Sequence, residues 1–181
     1  IDSMFFSVQK GFGLPAGLGV WIVNDRCIEK AEQLQSNGVV IGSFHSLPSL
    51  LQNAKKYQTP ETPNMLGIYL LAKVAGDMVR RGIKNIRSET DYKATILYQA
   101  LEQHPHLNAF VQDKAFQSRT VIVAESGIHT KSFTEKLMEK GLQPGDGYGA
   151  AKSTKLRFAN FPTHSKEQVE MLVDAIGEIR I

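Results

Sequence analysis

The stretch Met4-Phe5-Phe6-Ser7-Val8-Gln9-Lys10-Gly11-Phe12-Gly13-Leu14-Pro15-Ala16-Gly17 decides how the chain is read. Its first half is short, apolar and β-prone, so Phe5 to Gln9 is expected as a strand that delivers Lys10 at its end. The second half, rich in glycine and proline, reads as a loop rather than regular structure. A lysine leaving a strand into such a turn can have its amine held at a cleft. Where burial or nearby positive charge favours the neutral amine, it becomes a nucleophile toward an aldehyde. A lysine at a strand end is also an ordinary surface residue, and physical chemistry alone leaves both readings open.

Outward from this stretch, strands and helices alternate, which predicts an α/β architecture. Gly19 to Val23 is the next expected strand, and Asn24 or Asp25 caps a helix to about Ser36. Residues 38–43 form a further short strand or a loop. Ser46 to Lys56 is expected as a helix with Pro48 in its first turn, where a missing N–H does no harm. Gln58-Thr59-Pro60-Glu61-Thr62-Pro63 is kept extended by its two prolines. A long helix covers Asn64 to Arg81, with Leu66, Tyr69, Leu70 and Val74 on one stripe, and Gly82 closes it. Ser88 with Asp91 makes a capping-type start for a helix to about Gln103. Leu107 to Gln112 and Thr120 to Ala124 are expected strands, Thr130 to Lys140 a helix stopped by Gly141, and Thr154 to Phe161 a strand. Ser165 and Gln168 form a capping box for a last helix carrying Val169, Leu172, Val173, Ile176 and Ile179. A domain boundary is expected near residues 82 to 88.

The composition, 42% hydrophobic and 22% charged over 181 residues, is that of a globular chain able to bury a core. No apolar run approaches the ~18 residues of a membrane span. A net charge of +3, with basic and acidic side chains interspersed, describes a solvated surface and not a nucleic-acid footprint. The single cysteine, Cys27, excludes an internal disulfide framework and fits a reducing cytoplasm. Histidines 45, 104, 106, 129 and 164 show no metal-ligand spacing with Cys27 or the acids. The chain begins at Ile1 without Met or a signal pattern, and reads as a protein entered in its middle.

Two further places can carry chemistry. Thr59 and Gln58, on the proline-stiffened segment, offer an O–H and an N–H suited to a phosphate. The same segment also works as a plain helix-entry loop with Thr62 or Asn64 as cap. In Lys155-Leu156-Arg157-Phe158-Ala159-Asn160-Phe161, Arg157 lies mid-strand among apolar neighbours, an expensive place for an unpartnered charge. Its guanidinium is suited to clamp a carboxylate, of a substrate or of a structural salt bridge. Gly145-Asp146-Gly147-Tyr148-Gly149 is followed by no Walker lysine pattern and reads as a turn, with Lys152 nearby for an anionic group.

Together these segments resemble the class V pyridoxal-phosphate-dependent aminotransferases, above all the phosphoserine aminotransferases. In that family a Gln-Lys pair at a strand end precedes a Gly-Pro-Ala-Gly-like turn. An Asn- or His-Thr-Pro-Pro-Thr-like segment follows at a similar remove, and an Arg lies in the C-terminal strand. Here the turn is the longer Gly-Phe-Gly-Leu-Pro-Ala-Gly. The resemblance implies fold type I, with residues 1–82 as the end of the large cofactor domain and 83–181 as the small C-terminal domain. It implies pyridoxal 5'-phosphate held by Lys10 as a Schiff base, with Lys10 moving the proton between Cα and the cofactor. Gln9 would bond the cofactor, and Gln58 and Thr59 would reach the phosphate of a partner subunit in a homodimer. Arg157 would hold the substrate α-carboxylate. The implied reaction is ping-pong transamination between O-phosphoserine and 2-oxoglutarate. Another class V transaminase, such as an alanine–glyoxylate or serine–pyruvate enzyme, is the nearest alternative, and a non-catalytic domain retaining the fold is the next. Cys27 follows a helix start, which counts against a cysteine desulfurase. The remaining cofactor contacts of the family would lie on an N-terminal portion.

Overall fold

The computed structural model describes residues 1–40 and 45–181. Part of the strand or loop expected over 38–43 therefore lies outside the described residues. The chain divides into two compact units, Ile1–Lys10 with Leu14–Val74, and Gly11–Gly13 with Ala75–Ile181.

In the first unit, β1 (Ser3–Ser7) and β2 (Gly19–Val23) pair antiparallel, Ser3 opposite Val23 and Ser7 opposite Gly19. Strand β1 thus ends three residues before Lys10, not at Gln9 as its apolar run predicts. The reason is the hairpin. Val8 takes two closing bonds, its N–H to Leu18 O at 3.3 Å and its carbonyl from Leu14 N–H at 3.2 Å. Those bonds turn the chain at Val8, which is 1% exposed, before the strand can run on. Helix α1 (Asp25–Ser36) starts where expected, with Asn24 Oδ1 accepting from Cys27 N–H at 3.2 Å. Helix α2 (Leu47–Ala54) carries its proline in the first turn, as expected. It ends through Tyr57, whose φ of 56° puts a non-glycine residue in the left-handed region. The Gln58 N–H then returns to Asn53 O at 3.0 Å, which closes the helix end. Asn64 Oδ1 accepts from Gly67 N–H at 2.9 Å and opens α3 (Met65–Arg81).

The second unit has a sharper core. Helix α4 (Ile83–Gln103) begins five residues before the expected Ser88. Gly82, at φ +80°, breaks α3 and is itself the residue before α4, so one glycine separates two helices. Ser88 lies exposed inside the helix, where a Ser-x-x-Asp pattern is only part of the polar face. Strands β3 (Asn108–Ala109), β4 (Val121–Glu125), β5 (Gly145–Asp146) and β6 (Lys155–Ala159) form an antiparallel sheet in the order β3-β4-β6-β5. Strand β3 is much shorter than the expected Leu107 to Gln112, because side chains take its carbonyls: Gln112 Nε2 donates to Ala109 O and Gln117 Nε2 to Val111 O. Strand β5 falls in the stretch expected as a turn.

Along β4 and β6 alternate residues are buried, so each strand has one covered and one open face. Ile122, Ala124, Leu156 and Phe158 turn inward against Leu97 and Leu101 of α4 and Phe133 and Leu137 of α5 (Thr130–Glu139). Ala175 and Ile176 of α6 (Lys166–Glu178) complete that core, and each large side chain fully buried there stabilises by about 1.5–3 kcal/mol. Both halves of the Ser165–Gln168 capping box are present at the start of α6. No helix among the described residues is long and apolar enough to cross a membrane.

Candidate functional site

Gln9 and Lys10 stand exposed in the β1–β2 hairpin loop, directly after the clamp at Val8. Lys10 has no hydrogen-bond or ion-pair partner among the described residues. Its amine is therefore not spent on a structural contact with the described residues. The loop beyond it depends on Gly13, whose φ is +64° and where an added Cβ would lie 2.2 Å from Thr163 Cγ2. Both the backbone conformation and the close approach to Thr163 require glycine there.

Thr163 belongs to a turn that is heavily anchored. Lys93, only 1% exposed, donates from Nζ to Phe161 O at 3.0 Å and to His164 O at 2.6 Å. Burial is the main cause that draws the Lys93 amine below the ordinary lysine pKa; the nearby Glu89 opposes the shift and Arg81 adds to it. His164 Nδ1 accepts from Phe161 N–H at 3.1 Å. Burial, and then the charge of Lys93, hold that imidazole below the ordinary histidine value. A neutral ring suits the geometry, because a proton on Nδ1 would remove the acceptor. The sequence reading missed Lys93, although a signal was present. It interrupts the apolar stripe Ile86, Thr90, Lys93, Leu97 and Leu101 at helical spacing, which puts a cation on the buried face.

Gln58 and Thr59 are exposed on the irregular segment after α2. The Thr59 hydroxyl donates to Glu61 O at 2.6 Å, and the Gln58 backbone N–H is used at Asn53. The side-chain donors that Gln58 and Thr59 offer are therefore the Gln58 amide and a Thr59 hydroxyl that would exchange its local acceptor. Gln9, Lys10, Gln58 and Thr59 share the first unit, while Arg157 belongs to the second.

Arg157 occupies the open face of β6, opposite Val123 on one side and Gly145 on the other. Its Nε donates to Asp146 O, and its guanidinium lies over the Tyr148 ring, 3.9 Å from the centroid. No carboxylate is within ion-pair distance of it among the described residues. Its neighbour on that face, Lys155, is paired with Glu125 at 3.6 Å and lies 4.4 Å over the Phe110 ring. Lys152 is exposed and lies 3.7 Å from Asp146. Arg157 is thus half-buried, fixed in direction and without a counter-ion among the described residues, which leaves its outer nitrogens able to grip a planar oxyanion. Among the described residues no group of three or more His, Cys, Asp or Glu side chains could hold a metal ion.

Comparison with known proteins adds a family to this geometry. The family described as aminotransferase class-V matches residues 1–170. A phosphoserine aminotransferase of Nocardioides is 26% identical over 179 residues, 97% of this chain and 48% of that protein. The crystal structure of a phosphoserine aminotransferase from Cytophaga hutchinsonii superposes with a TM-score of 0.93 at 46% identity, over 98% of this chain and 49% of that one. An alanine–glyoxylate aminotransferase from Nostoc shares the fold, with a TM-score of 0.79 at 21% identity over 97% of this chain and 47% of its own. The chain therefore spans about half the length of the relatives it matches, at 48% and 49%. Its fold is α/β, the fold type I of pyridoxal-phosphate-dependent transferases. The chain belongs to the class-V aminotransferase family.

Proposed function

We propose that the whole protein is a pyridoxal-phosphate-dependent aminotransferase that interconverts O-phosphoserine and 3-phosphohydroxypyruvate with 2-oxoglutarate and glutamate. The observation that carries this is Lys10: an exposed amine with no partner among the described residues, set in a glycine-rich hairpin loop of a class-V chain. The 46% identity to a phosphoserine aminotransferase over 98% of the chain supports the choice of substrate.

The donor set fits the cofactor. An amine suits its aldehyde, and hydroxyl and amide donors at Thr59, Gln58 and Gln9 suit its phosphate. When bound, pyridoxal phosphate supplies the electron sink that lets an amino group leave one carbon and join another. Lys10 would anchor the group covalently and move the proton at the substrate Cα. Gln9 would orient it through a side-chain hydrogen bond. Arg157 would receive the substrate α-carboxylate in its bidentate fork. The amino group of glutamate leaves behind 2-oxoglutarate, and 3-phosphohydroxypyruvate becomes O-phosphoserine.

In this reading residues 1–82 close the large cofactor domain, 83–181 form the small domain, and the protein works in the cytoplasm. It is a homodimer in which Gln58 and Thr59 serve the neighbouring subunit's phosphate. The test is Lys10→Ala in the full-length protein, which abolishes transamination and the borohydride-reducible lysine adduct. An adduct that survives puts the cofactor on another lysine. A wild-type protein with no adduct is a non-catalytic domain. Preference for glyoxylate or pyruvate over 3-phosphohydroxypyruvate in an acceptor panel moves the assignment to another class-V transaminase.

A further inference from the structure

The glycine-rich stretch 145–149, which matches no nucleotide-binding pattern, folds back along β6 and encloses Arg157. Gly145 stands opposite Arg157 in the ladder, and an added Cβ would lie 3.3 Å from Nη2. Gly147 passes so close to the following turn that a Cβ would meet Ala151 O at 2.2 Å. Its N–H donates to Lys155 O at 3.0 Å, and the Tyr148 carbonyl accepts from Ala151 N–H at 3.0 Å. These contacts pin the backbone on both sides of Tyr148. Tyr148 is 72% exposed and buries little of itself, yet the Arg157 guanidinium lies over its ring, 3.9 Å from the centroid.

We infer that Tyr148 is the positioning residue for Arg157, holding its guanidinium over the ring so that the outer nitrogens meet a substrate carboxylate already oriented. The inference rests on the carboxylate role proposed above for Arg157. An aromatic face attracts a guanidinium through the ring quadrupole and leaves its in-plane N–H groups unused. A carboxylate partner would hold the side chain as firmly, but would neutralise the charge and occupy the same fork that the ligand needs. The Asp146 carbonyl takes Nε, the one nitrogen outside the terminal pair. Ring and carbonyl together therefore fix the direction of the side chain without competing for the terminal N–H groups that a carboxylate would accept from. The ordering entropy of a long arginine is then spent during folding and not on binding.

Arg157→Ala in the full-length holoenzyme should raise KM for the amino-acid substrate and weaken binding of glutarate, an unreactive dicarboxylate read by titration. Tyr148→Ala should do the same more gently, by about 3- to 30-fold, the range of an aromatic–guanidinium contact, with kcat at saturation unchanged. Tyr148→Phe keeps the ring and should behave as wild type, whereas Tyr148→Leu keeps apolar bulk and should behave as Tyr148→Ala. On an Arg157→Ala background, Tyr148→Ala should add nothing. If Arg157→Ala weakens both ligands and Tyr148→Ala does not, the positioning inference is overturned while the carboxylate role stands. If Arg157→Ala changes neither, the carboxylate role fails and the inference goes with it. An equal effect of Tyr148→Ala on both backgrounds places the ring on the ligand itself, and a joint fall in kcat and Tm makes it merely structural; either overturns the inference.

Discussion

Replacing Lys93 with Met tests the turn that carries Thr163. The methionine fills most of the lysine stem, so packing around this position of α4 is largely kept and the ammonium is the main loss. Phe161 O keeps a donor after the change, because the His164 N–H already reaches it at 3.0 Å. His164 O is different: its recorded donor is Lys93 Nζ, at 2.6 Å. One partly buried carbonyl therefore loses this donor, and a fully buried acceptor left unsatisfied costs about 1–3 kcal/mol. Relief of the desolvation of a buried ammonium offsets part of this, so the lower half of that range is expected. Opening of the 161–164 turn should then become about 5- to 30-fold more frequent, at a factor of ten per ~1.4 kcal/mol. Native-state amide exchange at Phe161 and His164 in the full-length protein reads this locally, without requiring two-state unfolding of a multidomain chain. The pH dependence supplies a second check. Burial lowers the Lys93 pKa in the folded state below its ordinary 10.5, so the unfolded state holds the proton longer. Its contribution to stability is complete above 10.5 and is lost as pH falls from there to the lowered value. The Met variant should lack that alkaline gain. Unchanged exchange at the turn, together with an unchanged alkaline profile, would refute the anchoring role.

Gly13→Ala should destabilise by about 1–2 kcal/mol from its left-handed backbone alone, with the Thr163 clash added. Thr163→Ala should relieve the 2.2 Å contact with Cγ2 but neither the 3.0 Å contact with Cβ nor the backbone part, as measured by urea midpoints of the four variants. His164 should make the protein less stable in acid: its folded pKa is depressed below 6.5, so stability is complete above that value and falls as pH drops through the window beneath it. His164→Gln should flatten that slope in denaturation curves between neutral and acid pH. Thr59→Ala should loosen pyridoxal phosphate by about 1.5–3 kcal/mol, the worth of a hydrogen bond to a charged group, without eliminating binding. In mixed dimers of Lys10→Ala and Thr59→Ala subunits, action across the interface puts both lesions in one pocket and restores wild-type affinity to the other. Action within a subunit leaves no wild-type pocket.

Much of the element order was legible because its signals are local. Asn24, Ser165 with Gln168, Gly82 and Gly141 mark helix ends through bonds spanning a few residues, and the apolar spacing of α6 needs no partner to be recognised. Where the reading slipped, a distant or competing bond decided the matter. Strand β5 has little β propensity of its own and is a strand because the backbone of β6 lies beside it. Strand β3 is cut short by two glutamine side chains, and the Ser88 pattern is overruled by Gly82, directly after which α4 begins at Ile83.

The same division applies to the site. Lys10, Gln9, Gln58, Thr59 and Arg157 were nameable from short words in the chain, since residue type and neighbours suffice to raise them. That Lys10 has no partner among the described residues, that Thr59 spends its hydroxyl on Glu61 and that Arg157 rests on Tyr148 follow only from the tertiary structure. Lys93 makes the contrast plain: its place on an apolar stripe is written in the sequence, but the carbonyls it serves lie 68 and 71 residues away. Capping and periodicity act over one or two turns of chain, whereas the partner of a buried charge is chosen by which distant segments the core brings together.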